Sequence, residues 1–388
     1  PFDIVKATEL WLTDAAHQSP SPDTLDKHGR WKPEHTFQVL KGVAEVPLVN
    51  GYLLLLRRWV ESRFGLSLTG HLPKGKKCIV TISHDVDEPV NPSDLAHNAF
   101  KIGWALLNGR FGALPDESSR LMRRAKHAYA NRHERHWVFE DIVREEAERG
   151  FASTFFFSAI KEPSERNGYD VTYDIRSPSF GRVFRLLESR GAEIGLHDSY
   201  RSSQRAEYFA GEIEHLQNCS GVKVFGNRQH CWKMEPDRWV SFEAMADGGL
   251  LYDSSVAYND IPGCRFGMAL PFLPYCKKRS TVIRLLEQPV ILMDGAMFYH
   301  GSPTATEVFQ KVKSLVAILK EYEGVASIDW HVRTSFPGSQ RYKLWGEGYL
   351  AVLDALASDS EVAVMRCCDV HQLYKDRFAL LSKQSTNR

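Results

Sequence analysis

Short apolar runs recur along the chain, each closing on ionisable residues and followed by a segment of helical periodicity. Residues 78–82, CIVTI, form a β-branched run that reads as a buried strand. The run delivers Ser83-His84-Asp85-Val86-Asp87-Glu88 and stops at Pro89, which cannot extend a ladder. Residues 152–157, 193–196, 223–226, 289–293, 325–328 and 361–366 read as further strands. Apolar positions spaced for helices fall within 2–16, 47–64, 137–149, 179–190, 206–218, 239–246 and 304–322. Strand, polar cluster and helix, repeated about seven times, predict an α/β fold with a parallel sheet and helices outside it. If that sheet closes into a barrel, the clusters meet on one rim, at the strand ends where such folds bind ligands. His84, Asp85, Asp87, His197, Arg228, His230, Asp253, Asp294 and His331 are the side chains so placed.

Asp85 and Asp87 are two residues apart, so an extended backbone points both to one side. Two carboxylates held close need a cation or a shared proton between them. Imidazole and carboxylate together suit zinc, iron, cobalt or nickel. Such a site acidifies water and polarises a carbonyl. With a second carboxylate as base and a histidine as acid, it serves amide or ester hydrolysis.

Composition narrows the function. The 388 residues carry a net charge of +1, with 43% hydrophobic and 25% charged residues, an ordinary globular balance with no global bias towards nucleic acid. The seven cysteines form no C-x-x-C pair, which fits free thiols in a reducing compartment. No apolar run reaches the ~20 residues that span a bilayer, and residues 1–11 lack signal-peptide character. A cytoplasmic protein is expected. Residues 47–64 predict an amphipathic helix packed on the main domain. Residues 101–136 are rich in Lys, Arg and His, a solvated face or a docking surface for an anionic substrate.

The segments TISHDVDEP, ASTFFF, GAEIGLHDSYRSS, FGNRQHCW, GLLYDSSVAYND and IDWHVRTSF occur in the order found in the polysaccharide deacetylases, the carbohydrate esterase family 4 hydrolases, which this chain resembles over roughly residues 76–375. The resemblance implies a distorted (β/α) barrel of about seven parallel strands over residues 76–388. Residues 1–75 then form an N-terminal helical extension and residues 95–136 a helical insertion. It implies Asp85 as general base, Asp87 and His197 as metal ligands, Arg228 as the partner orienting the base, and His331 as general acid. Trp330 walls the sugar pocket, and Tyr200 and Arg201 join it as substrate-binding residues. The implied cofactor is a divalent metal, zinc first. One departure stands out: the family's second histidine, four residues after the first, is Arg201 here. His230 can supply the third ligand, with His84 as a second candidate; otherwise Arg201 displaces the metal altogether. The expected activity is removal of an N-acyl group from an amino sugar, on a nucleotide- or lipid-linked precursor in polysaccharide or glycoconjugate synthesis. The alternatives are a metal-independent amidohydrolase on a small amide and a non-catalytic binding protein of the same fold.

Overall fold

Nine consecutive buried residues, Cys78–Val86, form β1, the strand on which the others are hung. The computed structural model describes residues 2–17, 21–89, 137–276, 278–338 and 341–385. The basic segment and the whole of the expected insertion therefore lie outside the described residues. The strands that follow are β2 (Thr154–Phe157), β3 (Glu193–His197), β4 (Gly226–Arg228) and β5 (Tyr252–Asp253). A two-stranded antiparallel hairpin, β6 (Tyr275–Cys276) and β7 (Thr281–Val282), precedes β8 (Leu286–Glu287), β9 (Val290–Met293), β10 (Val325–Asp329) and β11 (Val362–Met365). Parallel pairing gives the order β8-β5-β4-β3-β2-β1-β10-β9, a distorted (β/α) barrel. β1 is forked: its first half, Cys78–Thr81, pairs with β11, and its second half, Ser83–Val86, with β2. Only Gln288 and Pro289 separate β8 from β9, so the chain itself joins the two ends of the strand row.

Period-two alternation splits each strand between two environments. Cys78, Val80, Ile82, Val86, Phe155, Phe157, Ile194, Leu196, Ala326, Ile328 and Trp330 enter the large core under the helices. Ile79, Phe156, Tyr252, Leu286, Val325 and Ala363 fill the barrel floor. Thr81 meets Ser327 across that floor, oxygen to oxygen at 2.5 Å. The Tyr252 ring lies where a β-carbon on residue 226 would sit, 1.8 Å from its nearest atom, so only glycine fits at Gly226. Above this floor the interior positions turn polar: Ser83 and Asp85 on β1, Arg228 on β4, Asp329 on β10.

Helices Phe139–Glu148, Pro178–Ser189, Ala206–Ser220, Arg238–Asp247, Ala305–Glu321 and Lys343–Ala357 surround the sheet. The last has no counterpart in the sequence reading. Helix Leu48–Phe64 forms as expected but docks differently: only Val49 and Asn50 are buried, while Leu55, Trp59 and Phe64 are exposed. It is held by its first turn, through the Val49 N–H to Gly267 and the Asn50 amide to Ala269 and Tyr322 carbonyls. All seven cysteines are free thiols.

Candidate active site

Asp85 and Asp87 share the inward phase of β1, and the ends of β3, β4 and β10 bring partners to them. His197, closing β3, lies with Nε2 3.2 Å from Asp87 Oδ1 and 3.9 Å from Asp85 Oδ2. His230, two residues past β4, places Nδ1 2.8 Å from His197 Nε2 and 3.6 Å from Asp87 Oδ1. The far nitrogens settle the tautomers. His197 Nδ1 donates to the Arg228 carbonyl at 2.7 Å and His230 Nε2 to the Tyr169 carbonyl at 2.9 Å, since a carbonyl only accepts. Neutral histidines so bonded point two lone pairs at each other beside a carboxylate, an arrangement that demands a proton or a cation between them. The three separations, 2.8, 3.2 and 3.6 Å, bracket the about 3.3 Å between ligand atoms that zinc–nitrogen bonds of about 2.0–2.1 Å give in a tetrahedron. The donor set of Asp87, His197 and His230 fits a divalent metal. Backbone acceptors on the far nitrogens are the outer support such ligands need.

Arg201 does not intrude. It follows β3 on an irregular turn, where four-residue spacing has no fixed direction, and its guanidinium lies over the Tyr208 ring at 4.2 Å and pairs with Glu165 at 3.2 Å. Its guanidinium is thus held by Tyr208 and Glu165 and does not occupy a metal's place beside His197. Trp330 is a second correction. It is one residue out of phase with Asp329 and His331, so it faces the outer core, fully buried against Phe298, and cannot wall a pocket. His84 is out of phase for the same reason; its Nε2 meets Glu146 at 2.8 Å under the helices. Asp253 likewise faces Asn227 and Ser255, away from the interior.

Arg228 is wholly buried, its Nη1 3.4 Å from Asp85 Oδ1 and 3.0 Å from Asp329 Oδ1. Phe156 and Trp232 sandwich the guanidinium, each ring centre 4.8 Å away. Asp85, Asp329 and His331 also cluster as potential ligands, but Arg228 already supplies the cation between the two carboxylates. Burial, reinforced by Asp85, pushes Asp329 up to about 7. His331 sits with Nε2 3.3 Å from Asp87 Oδ2 and Nδ1 3.0 Å from Asp294 Oδ1. Burial works against its charged form, yet Asp294 prevails and holds the imidazole well above its ordinary range. Thr334 Oγ1 donates to Asp294 Oδ2 at 2.5 Å and fixes that carboxylate. Arg333, which the sequence reading passed over, reaches Asp87 Oδ2 at 3.0 Å. Tyr200 stands at the edge, stacked on Tyr169 at 4.8 Å between ring centres, with its hydroxyl on His28 at 3.1 Å.

No family model and no curated protein matches the sequence. Solved structures do. A candidate polysaccharide deacetylase from Mycobacterium smegmatis superposes over 80% of this chain and 94% of its own, with a TM-score of 0.53 at 17% identity. The chain has the polysaccharide deacetylase fold. The Puue allantoinase superposes nearly as well, at a TM-score of 0.50 and 15% identity, over 80% of this chain and 95% of that one. The polysaccharide deacetylase fold explains the inward convergence of β1, β3, β4 and β10. Among the described residues no helix is long and apolar enough to cross a membrane.

The turn after β3 carries a buried acid of its own. Glu212 accepts from the Ser199 N–H at 2.9 Å and the Ser202 hydroxyl at 3.1 Å. Burial raises it from 4.5 to about 7 despite these bonds. A carboxyl raised on folding adds stability that is complete below its unfolded value and fades as pH rises through the folded one. Glu212→Gln therefore removes a component that the native protein loses between pH 4.5 and 7. Urea unfolding of both proteins at pH 4.5 and 8 is expected to show the native protein losing more stability than the variant, by up to about 3 kcal/mol.

Proposed function

We propose that the protein is a metal-assisted hydrolase that removes an N-acyl group from an amino sugar. The observation that carries this is the meeting of Asp87, His197 and His230 in one lone-pair cluster, with a paired carboxylate on one side and a paired imidazole on the other. A divalent cation held by those three residues would polarise the acyl oxygen and acidify water. Asp85, its Oδ1 fixed by Arg228 and its Oδ2 turned towards His197, is suited to take the proton from water. His331, its charged form favoured by Asp294, is suited to give a proton from Nε2 to the leaving nitrogen. Asp85 lies beside a guanidinium and His331 beside a carboxylate, so the two groups occupy electrostatically opposite environments. The basic composition of residues 101–136 supports a phosphate-bearing substrate, a nucleotide- or lipid-linked precursor.

The purified protein is expected to hold one equivalent of zinc or another divalent transition metal by elemental analysis, lost in His197→Ala, and to deacylate N-acetylated amino sugars until chelated. Arg333 beside Asp87 favours a second reading, hydrolysis of an amide with protonated histidines and no metal. Full activity after exhaustive chelation would establish that reading instead.

A further inference from the structure

The bend that carries His230 is strained. Cys231 has φ 55° and ψ 20°, and Trp232 has φ 52°. Consecutive non-glycine residues in this left-handed region are unfavourable and persist only where their surroundings impose them. The bend directly follows His230, whose imidazole lies against His197. Trp232 is held by its Nε1 on Met293 Sδ and by Arg228 over its ring, and the Cys231 carbonyl is held from the N-terminal segment. Leu25 and Trp31 pair across a small antiparallel bridge, and between them Asp26 caps its own turn, accepting from the N–H groups of His28 at 2.8 Å and Arg30 at 3.0 Å. Asp26 also holds the Arg30 side chain, Oδ2 to Nε at 2.7 Å. The guanidinium so fixed gives Nη1 to the Cys231 carbonyl at 2.8 Å and to Asn259 Oδ1 at 2.8 Å. The same turn grips the far side of the imidazole. His28 packs edge-on against Tyr169, 4.9 Å between ring centres, and bonds Tyr200, while the Tyr169 carbonyl receives His230 Nε2.

We infer that Arg30 is a positioning residue: it clamps the Cys231–Trp232 bend and thereby aims His230 at His197 and Asp87, making residues 25–31 part of the site rather than an appendage. Its consequence for metal binding rests on the function proposed above; its consequence for His230 does not.

The test is cobalt(II) affinity of the full-length protein, followed by visible absorption, in wild type, Arg30→Ala, His230→Ala and the double variant. Arg30→Ala is expected to weaken cobalt at least tenfold in the wild-type background and to have no further effect once His230 is gone. An equal loss in both backgrounds, or no loss in the first, overturns the inference. Should Arg30→Ala not fold, Arg30→Lys carries the same cycle, since one ammonium cannot span Asp26, Cys231 and Asn259 as a guanidinium fork does. If the wild type takes up no cobalt, the metal reading fails, and the positioning is read in the metal-free protein. There the exchange-protected Nε2 proton of His230, seen by NMR of histidine-labelled protein, is expected to vanish in Arg30→Ala. Its persistence overturns the inference.

Discussion

Under the proposed function, Asp85→Asn is expected to lower kcat for amide deacylation by roughly 10²–10⁴-fold, the range that a positioned acid or base supplies. Asparagine keeps the shape of the side chain and its oxygen towards Arg228, but it cannot take a proton at neutral pH. Arg228 stays neutralised by Asp329 at 3.0 Å, so the barrel interior is not left with a bare charge. Asp87, His197 and His230 are untouched, so metal content is expected to stay at one equivalent. Steady-state kinetics combined with elemental analysis therefore separate a missing base from a missing metal. Unchanged turnover in Asp85→Asn would remove Asp85 from the chemistry. Absence of any turnover in the wild type on a panel of N-acyl sugars and small amides would favour the binding-protein alternative.

Arg228→Met produces the largest loss of stability, about 3–5 kcal/mol, the cost of breaking a buried ion pair from one side. Methionine fills space between Phe156 and Trp232, so cavity formation is a minor part of the effect. What remains is two buried carboxylates, Asp85 and Asp329, facing each other without the guanidinium that bridged them. Both then have folded values raised by burial and by each other. Raised carboxyls contribute stability at low pH that is lost as pH rises through the folded values. The deficit of the variant is accordingly smallest near about pH 4–5 and grows towards about pH 8. Urea denaturation at both ends of that window measures it. An equal deficit at both pH values would show that Arg228 acts by packing rather than by charge.

Much of this site is legible from alternation along single strands. Asp85 and Asp87 share a phase with Ile79, Thr81 and Ser83, and all five turn inward or towards the rim. The same rule, applied to Val325, Ser327, Asp329 and His331, would have excluded Trp330, and applied to Ile79 it would have excluded His84. Asp294 is visible as an acid at a strand end, yet its pairing with His331 joins β9 to β10 and leaves no mark on either segment. Asp329 precedes His331 by two residues in the same strand phase, which is the signal that could have found it; Arg333 lies in the 3-10 turn Val332–Thr334, where alternation gives no signal. Arg201 stands where the resemblance places a second histidine, and its pairing with Glu165 and Tyr208 leaves no mark on the segment itself. The left-handed bend at Cys231–Trp232 has no compositional sign, since both residues ordinarily avoid that conformation. Its cause lies about 200 residues away in a turn, DKHGR, that looks like any other loop.

The short span from β8 to β9 decides how a substrate can enter. Three peptide links from Glu287 to Val290 reach at most about 11 Å. The wall there is tethered covalently, and no shift of hydrogen-bond register can widen it. Elsewhere the wall is closed by ladders between neighbouring strands. Under the proposed function, an N-acylated sugar is expected to approach from the rim rather than between β8 and β9.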